Sequence, residues 1–187
     1  WYIKSCEKIK YMFPKAHAAA YVTNAFRIAW FKVHIPLAYY AAYFTIRAKS
    51  FDAEVMINGK EKVKNKMKEI EMLGNNATPK DKDMYDDLEI VLEMYERGFK
   101  FLPIDLYKSD AKKFKIEGEY LRPPLNSIAG LGGVAAESIV KAREKEKFMS
   151  IDDMKIRSKI GDSVTELLKQ FGCLEGMSQS NQLSLFG

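Results

Sequence analysis

The sequence is poor in the features that define several large protein classes. Cysteine occurs only as Cys6 and Cys173, too far apart and too few to hold a four-ligand zinc site. That scarcity predicts a reduced, cytoplasmic chain with idle thiols. No apolar run approaches the roughly 18–20 residues of a membrane span, because Arg27, Lys32 and His34 interrupt the richest stretch. The opening residues, Trp1-Tyr2-Ile3-Lys4, offer neither an initiator Met nor a signal-peptide pattern, so a piece of a longer protein is expected. No repeat of about 20–50 residues is evident, although two helical pairs after Leu125 are distantly alike. What is present is ordinary globular material: 187 residues, 47% hydrophobic and 29% charged. That is enough for one generous domain or two to three small ones.

Charge is uneven along the chain. The net charge is +5, but residues 1–50 carry +7, residues 51–110 carry −4 and residues 111–170 carry +3. Basic ends around an acidic middle suggest two contacts with a polyanion, although a basic surface can serve solubility alone.

Helical spacing at Val22, Ala25, Phe26, Ala29 and Val33 predicts a helix ending near Val33, with Pro36 opening the next, Leu37 to Ala48. Glu61 to Leu73 alternates Lys and Glu over Val63, Met67 and Ile70, an exposed amphipathic helix stopped by Gly74-Asn75-Asn76. Thr78-Pro79 reads as N-cap and first helical residue of an acidic helix with a core stripe of Leu88, Val91, Leu92 and Tyr95, ended by Gly98. Alternation in residues 101–107 and 114–116 predicts two short strands. Pro123-Pro124 then breaks the chain before a helical unit from Asn126 to Glu146 and a helical pair from about Ser150 to Phe171.

Pro14-Lys15-Ala16-His17-Ala18-Ala19-Ala20-Tyr21 is the most informative stretch. Small residues permit close approach of another backbone. Lys15, His17, Asn24 and Arg27 are donors at or near a helix start, where free N–H groups favour anions such as a triphosphate or a DNA phosphate. The competing reading is an Ala-rich packing helix with one structural His. This stretch and the following Trp30-Phe31-Lys32-Val33-His34-Ile35-Pro36-Leu37-Ala38-Tyr39-Tyr40 closely resemble the fingers of bacterial C-family replicative DNA polymerases. Phe44-Thr45-Ile46-Arg47-Ala48, Glu93-Met94-Tyr95-Glu96-Arg97-Gly98-Phe99-Lys100-Phe101 and Ile104-Asp105-Leu106-Tyr107-Lys108-Ser109-Asp110-Ala111 look like the Gram-positive PolC type of the DNA polymerase III alpha subunit.

The resemblance runs along essentially the whole chain. It implies a nucleotide-binding face with Lys15, His17, Tyr21 and Arg27, closing over an incoming dNTP and the template. It also implies that the catalytic aspartates, their Mg2+ ions and the 3'-5' exonuclease lie upstream, so this stretch alone would be an inactive part of a polymerase. The acids present, such as Asp86-Asp87 and Asp152-Asp153, read as solvated helix faces and caps rather than as a two-metal site. Neither catalytic nor metal-ligating residues are therefore expected in this chain.

Asn126 to Val140 resembles a helix–hairpin–helix, a motif that grips duplex backbone without reading sequence. Gly130, Leu131, Gly132, Gly133 and Lys141 are its expected DNA-binding residues: glycines that admit a phosphate, a Leu plug, and a basic rim that includes Arg143. Ala129 stands where the motif usually has Pro, and an ordinary Gly-containing turn is the plainer alternative. Lys159-Ile160-Gly161-Asp162 reads as a weaker second hairpin. The tail Gln182-Leu183-Ser184-Leu185-Phe186 matches a bacterial sliding-clamp-binding motif, with Gln182, Leu183, Leu185 and Phe186 as contacts.

Together these readings predict a mainly α protein with a small β element: fingers over residues 1–98, a β-containing connector over 99–124, a helix–hairpin–helix region over 125–172, and a flexible clamp-binding tail over 173–187. The expected partners are primer–template DNA, an incoming dNTP and the sliding clamp, with no membrane. A stand-alone DNA-binding module and a clamp-tethered repair protein are the alternatives.

Overall fold

The structure, a computed structural model, describes residues 1–8 and 14–180. After α1 (Tyr2–Lys8), α2 (Lys15–His34) runs for 20 residues and buries none of them. Ile35 breaks the helix, and Pro36 restarts it as the first residue of α3 (Pro36–Ile46), where its missing N–H costs nothing. Tyr40 and Phe44, one turn apart, are the buried face of α3; Tyr39 and Tyr43 are half-buried beside them. Tyr40 and Phe44 belong to the core, while Tyr39 and Tyr43 lie at its edge.

Around them pack α4 (Ala53–Met56), α5 (Lys60–Leu73) and α6 (Pro79–Glu96). Thr78 caps α6 through a reciprocal capping box with Asp81. The stripe on α6 is Leu88, Val91 and Met94, with Leu92 and Tyr95 only partly buried. Gly98, at φ +87, ends the helix with bonds from its own N–H to Tyr95 and from Phe99 N–H to Met94. One expectation fails here. Asp87 is not on a solvated face but buried, accepting from Lys49 N at 3.0 Å, Ser50 N at 2.8 Å and the Tyr43 hydroxyl at 3.3 Å. It pins the loop after α3 onto α6, a long-range role that periodicity does not register.

The β element has three strands in the order β1 (Lys100–Phe101), β3 (Tyr120–Arg122), β2 (Lys115–Glu117). β3 pairs parallel to β1 and antiparallel to β2. The strand expected through residue 107 stops at Phe101. Asp105 instead accepts from Tyr107 N and Lys108 N, both at 2.8 Å, and this side-chain turn displaces a ladder. The unforeseen β3 is held by Arg122, which is buried, grips the Glu117 carboxylate with two nitrogens and donates to Pro103 O at 2.6 Å.

A second core begins at Ile104 and Leu106 and continues through Leu125, Ile128, Leu131, Ile139, Met154 and Leu168. Phe51 and Ile57 touch both cores. The elements here are a 3-10 turn (Leu125–Ser127), α7 (Gly133–Lys145), α8 (Ile151–Ser158) and α9 (Asp162–Gln170). The helical unit expected from Asn126 thus begins with a single tight turn rather than a helix. Ser127 N donates to Pro124 O at 3.1 Å and Ile128 N to Leu125 O at 3.2 Å, and the hairpin glycines follow at once.

Candidate nucleic-acid interface

The first hairpin is built from four consecutive residues with different tasks. Gly130 takes φ +88, a conformation natural to glycine, and turns the chain. Leu131 plugs inward and is buried, its N–H bonded to Ile128 O at 3.0 Å. Gly132 is the N-cap of α7 at φ −67, a conformation open to any residue, and a Cβ there would meet no atom within 4 Å. Its role is to keep the outside open rather than to relieve strain. The N–H groups of Gly133, Val134 and Ala135 lack intrahelical acceptors, as in any first turn, and no side chain caps α7. Three free donors at the positive end of a 13-residue helix, behind an exposed glycine surface, form a receptive place for an anion.

The neighbouring hairpin repeats this backbone with a single glycine. Lys159 takes the left-handed conformation at φ +53, Ile160 is buried, and Gly161 is the N-cap of α9. The series left-handed residue, buried plug, glycine cap occurs in both. The two meet: Leu167 of α9 packs against Gly130, within 3.2 Å of where a Cβ would stand.

Two basic residues expected on the rim part company. Lys141 is exposed on α7. Arg143 is turned inward, donating to the carbonyls of Leu106 and Ser109, and burial lowers its pKa. Both terminal nitrogens are committed to bracing the turn around Asp105. Sequence reasoning also missed Lys112. Its ammonium pairs with Glu137 Oε1 at 2.7 Å and its chain crosses Gly133, with Cε 2.6 Å from where a Cβ would stand. Only the basic run Lys112-Lys113-Lys115 hinted at it.

On α2 the four expected nucleotide ligands are all exposed. His17 and Tyr21, one turn apart, are in tilted ring contact with centroids 4.5 Å apart. Lys15 lies about 200° from His17 around the axis, so the two flank the helix start from opposite sides, and Arg27 stands about 18 Å further along. The base of α2 is tied to α6: Lys32 meets Glu93 at 2.6 Å, and Arg97 donates to Lys32 O at 2.9 Å and to the Tyr40 hydroxyl at 3.1 Å. His34 ends the helix, its ring tilted against Trp30. An apolar groove of about 490 Å³ lies between α2 and α3, lined by Ile28, Phe31, Tyr39 and Tyr43 among others.

The clamp motif, Gln182 to Phe186, lies outside the described residues. Cys173 is a free thiol, pushed up to about 12 by burial. Among the described residues no group of three or more His, Cys, Asp or Glu could hold a metal ion, and no helix is long and apolar enough to cross a membrane.

Residues 98–183 match the family model described as a helix-hairpin-helix motif. The chain is 58% identical over 186 residues to the DNA polymerase III PolC-type of Caldanaerobacter subterraneus subsp. tengcongensis. It is 56% identical over 187 residues to that of Clostridium perfringens and 54% identical over 186 residues to that of Bacillus subtilis. Each match covers 100% of this chain and 13% of the relative. The mainly α fold and the resemblance are both borne out: along its whole length the chain is similar to one segment of PolC-type DNA polymerase III, and its second half matches a helix-hairpin-helix model.

Proposed function

We propose that this chain is the fingers, duplex-gripping and clamp-tethering part of a bacterial replicative DNA polymerase, working in the cytoplasm. The observation that carries the reading is the uncapped N-terminus of α7 behind Gly132, in a chain similar throughout to PolC-type polymerases. A duplex phosphate there accepts from the free N–H groups of the first turn, with Lys141 adding charge. The second hairpin offers a like contact at Gly161. Neither reads a base, which suits an enzyme that must copy any sequence.

At the other end, Lys15 and His17 flank the start of α2, where the triphosphate of an incoming dNTP meets cations and backbone donors together. Tyr21 supports His17 through their tilted ring contact, and Arg27 extends the nucleotide-binding face further along the helix. The aspartates that hold Mg2+ for phosphoryl transfer, and the 3'-5' exonuclease, belong to the remainder of the longer protein. Gln182, Leu183, Leu185 and Phe186 tether the enzyme to the sliding clamp.

The test is steady-state primer extension by the full-length native protein. Lys15→Ala and His17→Ala should each raise the apparent nucleotide KM or lower turnover by about tenfold, the scale of a lost charge-assisted contact. Duplex affinity should stay near wild type. Normal nucleotide kinetics in both variants would refute the assignment of α2.

A further inference from the structure

Lys112 lies across the mouth of the first hairpin, over Gly133. Its base is fixed: Asp110 Oδ1 accepts from Lys112 N at 2.9 Å and Lys113 N at 3.0 Å. The segment is also stitched to the turn leading into the hairpin, by Leu125 N to Asp110 O at 2.9 Å and Asn126 N to Ala111 O at 3.2 Å. From this base the side chain passes over Gly133, where any larger residue would obstruct it, and its ammonium rests on Glu137. Both partners are about half exposed, so water competes for the pair and holds it loosely. Glu137 also lies in the field of Lys141, so one carboxylate faces two cations beside the open N–H groups of α7.

We propose that Lys112 is a further duplex-phosphate ligand of this hairpin, held on Glu137 until a phosphate takes the carboxylate's place. This rests on the hairpin's binding duplex DNA. A phosphodiester carries the single negative charge and paired oxygens that Glu137 now presents, and it also satisfies the first-turn donors that the carboxylate leaves open. Glu137 is then an internal competitor. It lowers affinity for isolated anions while a continuous backbone, touching Lys112, Lys141 and the α7 amides together, displaces it.

The experiment is fluorescence anisotropy of a labelled blunt duplex with the full-length native protein across a salt series. Lys112→Met should weaken binding by about three- to tenfold at moderate salt and make the log–log salt slope shallower by about one. Lys112→Arg should restore both. Glu137→Gln should tighten binding, and that gain should shrink in the Lys112→Met background. Gly132→Val, which leaves the fold room, reports on the hairpin itself. If Gly132→Val impairs binding while Lys112→Met keeps wild-type affinity and slope, Lys112 is no ligand and the hairpin reading survives. If both variants bind normally, the hairpin reading fails and takes this proposal with it.

Discussion

Gly130 and Leu167 touch across the two hairpins, at a distance that leaves no comfortable room for a methyl group on the glycine. The same glycine takes a backbone conformation that L side chains rarely adopt, so two independent costs fall on one position. Gly130→Ala should destabilise the fold by about 1–2 kcal/mol, chiefly from the left-handed backbone. Gly132→Ala should be nearly neutral in stability yet weaken duplex binding, because its surroundings are open and its φ is ordinary. Denaturant titration of both variants beside duplex titration checks the division. Equal stability losses at the two glycines would overturn it.

Arg143 makes the opposite kind of prediction. Its guanidinium satisfies the carbonyls of Leu106 and Ser109, so Arg143→Met strands two acceptors. The loss should be about 1.5–3 kcal/mol of stability, with duplex affinity and salt slope unchanged under folding conditions. A shallower salt slope would return Arg143 to the DNA-facing rim.

Asp87 gives a pH signature. Burial holds its carboxyl above the ordinary 3.8, against the pull of the Ser50 and Lys49 amides and the Tyr43 hydroxyl. The folded chain thus binds this proton more tightly than the unfolded chain. Stability contributed by the protonated form is lost as pH rises from the ordinary value through the raised one, and the loss is complete above it. Asn cannot ionise. The stability of wild type relative to Asp87→Asn should therefore fall as pH climbs from about 4 and then level off. Urea unfolding of both proteins over a pH series measures this, and a difference flat from acid to neutral would remove burial as the cause.

Deleting Gln182 to Phe186 should abolish clamp-stimulated processive synthesis and spare clamp-free extension. A tether raises local concentration at the primer end without adding a DNA contact. Primer extension with and without loaded clamp is the measurement. Equal stimulation of the deletion would show that another segment is the principal clamp contact.

What could be read beforehand divides along the range of the forces involved. Thr78, Pro79 and Gly98 announce their helix ends because caps and left-handed turns are local chemistry. Leu131 was legible as the plug because the hairpin pattern is short. Asp87, Arg122 and Arg143 were not. Asp87 and Arg143 are held by partners 34 to 44 residues away, beyond any window of periodicity, and Arg122 was missed along with the strand that carries it. The strand misjudged through residue 107 has a similar origin. Ile104 and Leu106 alternate as a strand would, but one Asp105 oxygen captures two backbone amides and the same two side chains reach the core from a turn.

The twenty residues of α2 span about 30 Å, seated at one end by Lys32 and Arg97 and burying no residue along the shaft. Such a rod converts angle into distance: a tilt of about 10° at Ile35 sweeps Lys15 through about 5 Å. Small changes at the Glu93–Arg97 seat are thereby amplified at the tip, close to 30 Å from where they arise. The ion pair with Glu93 sets the pose of a surface it never touches.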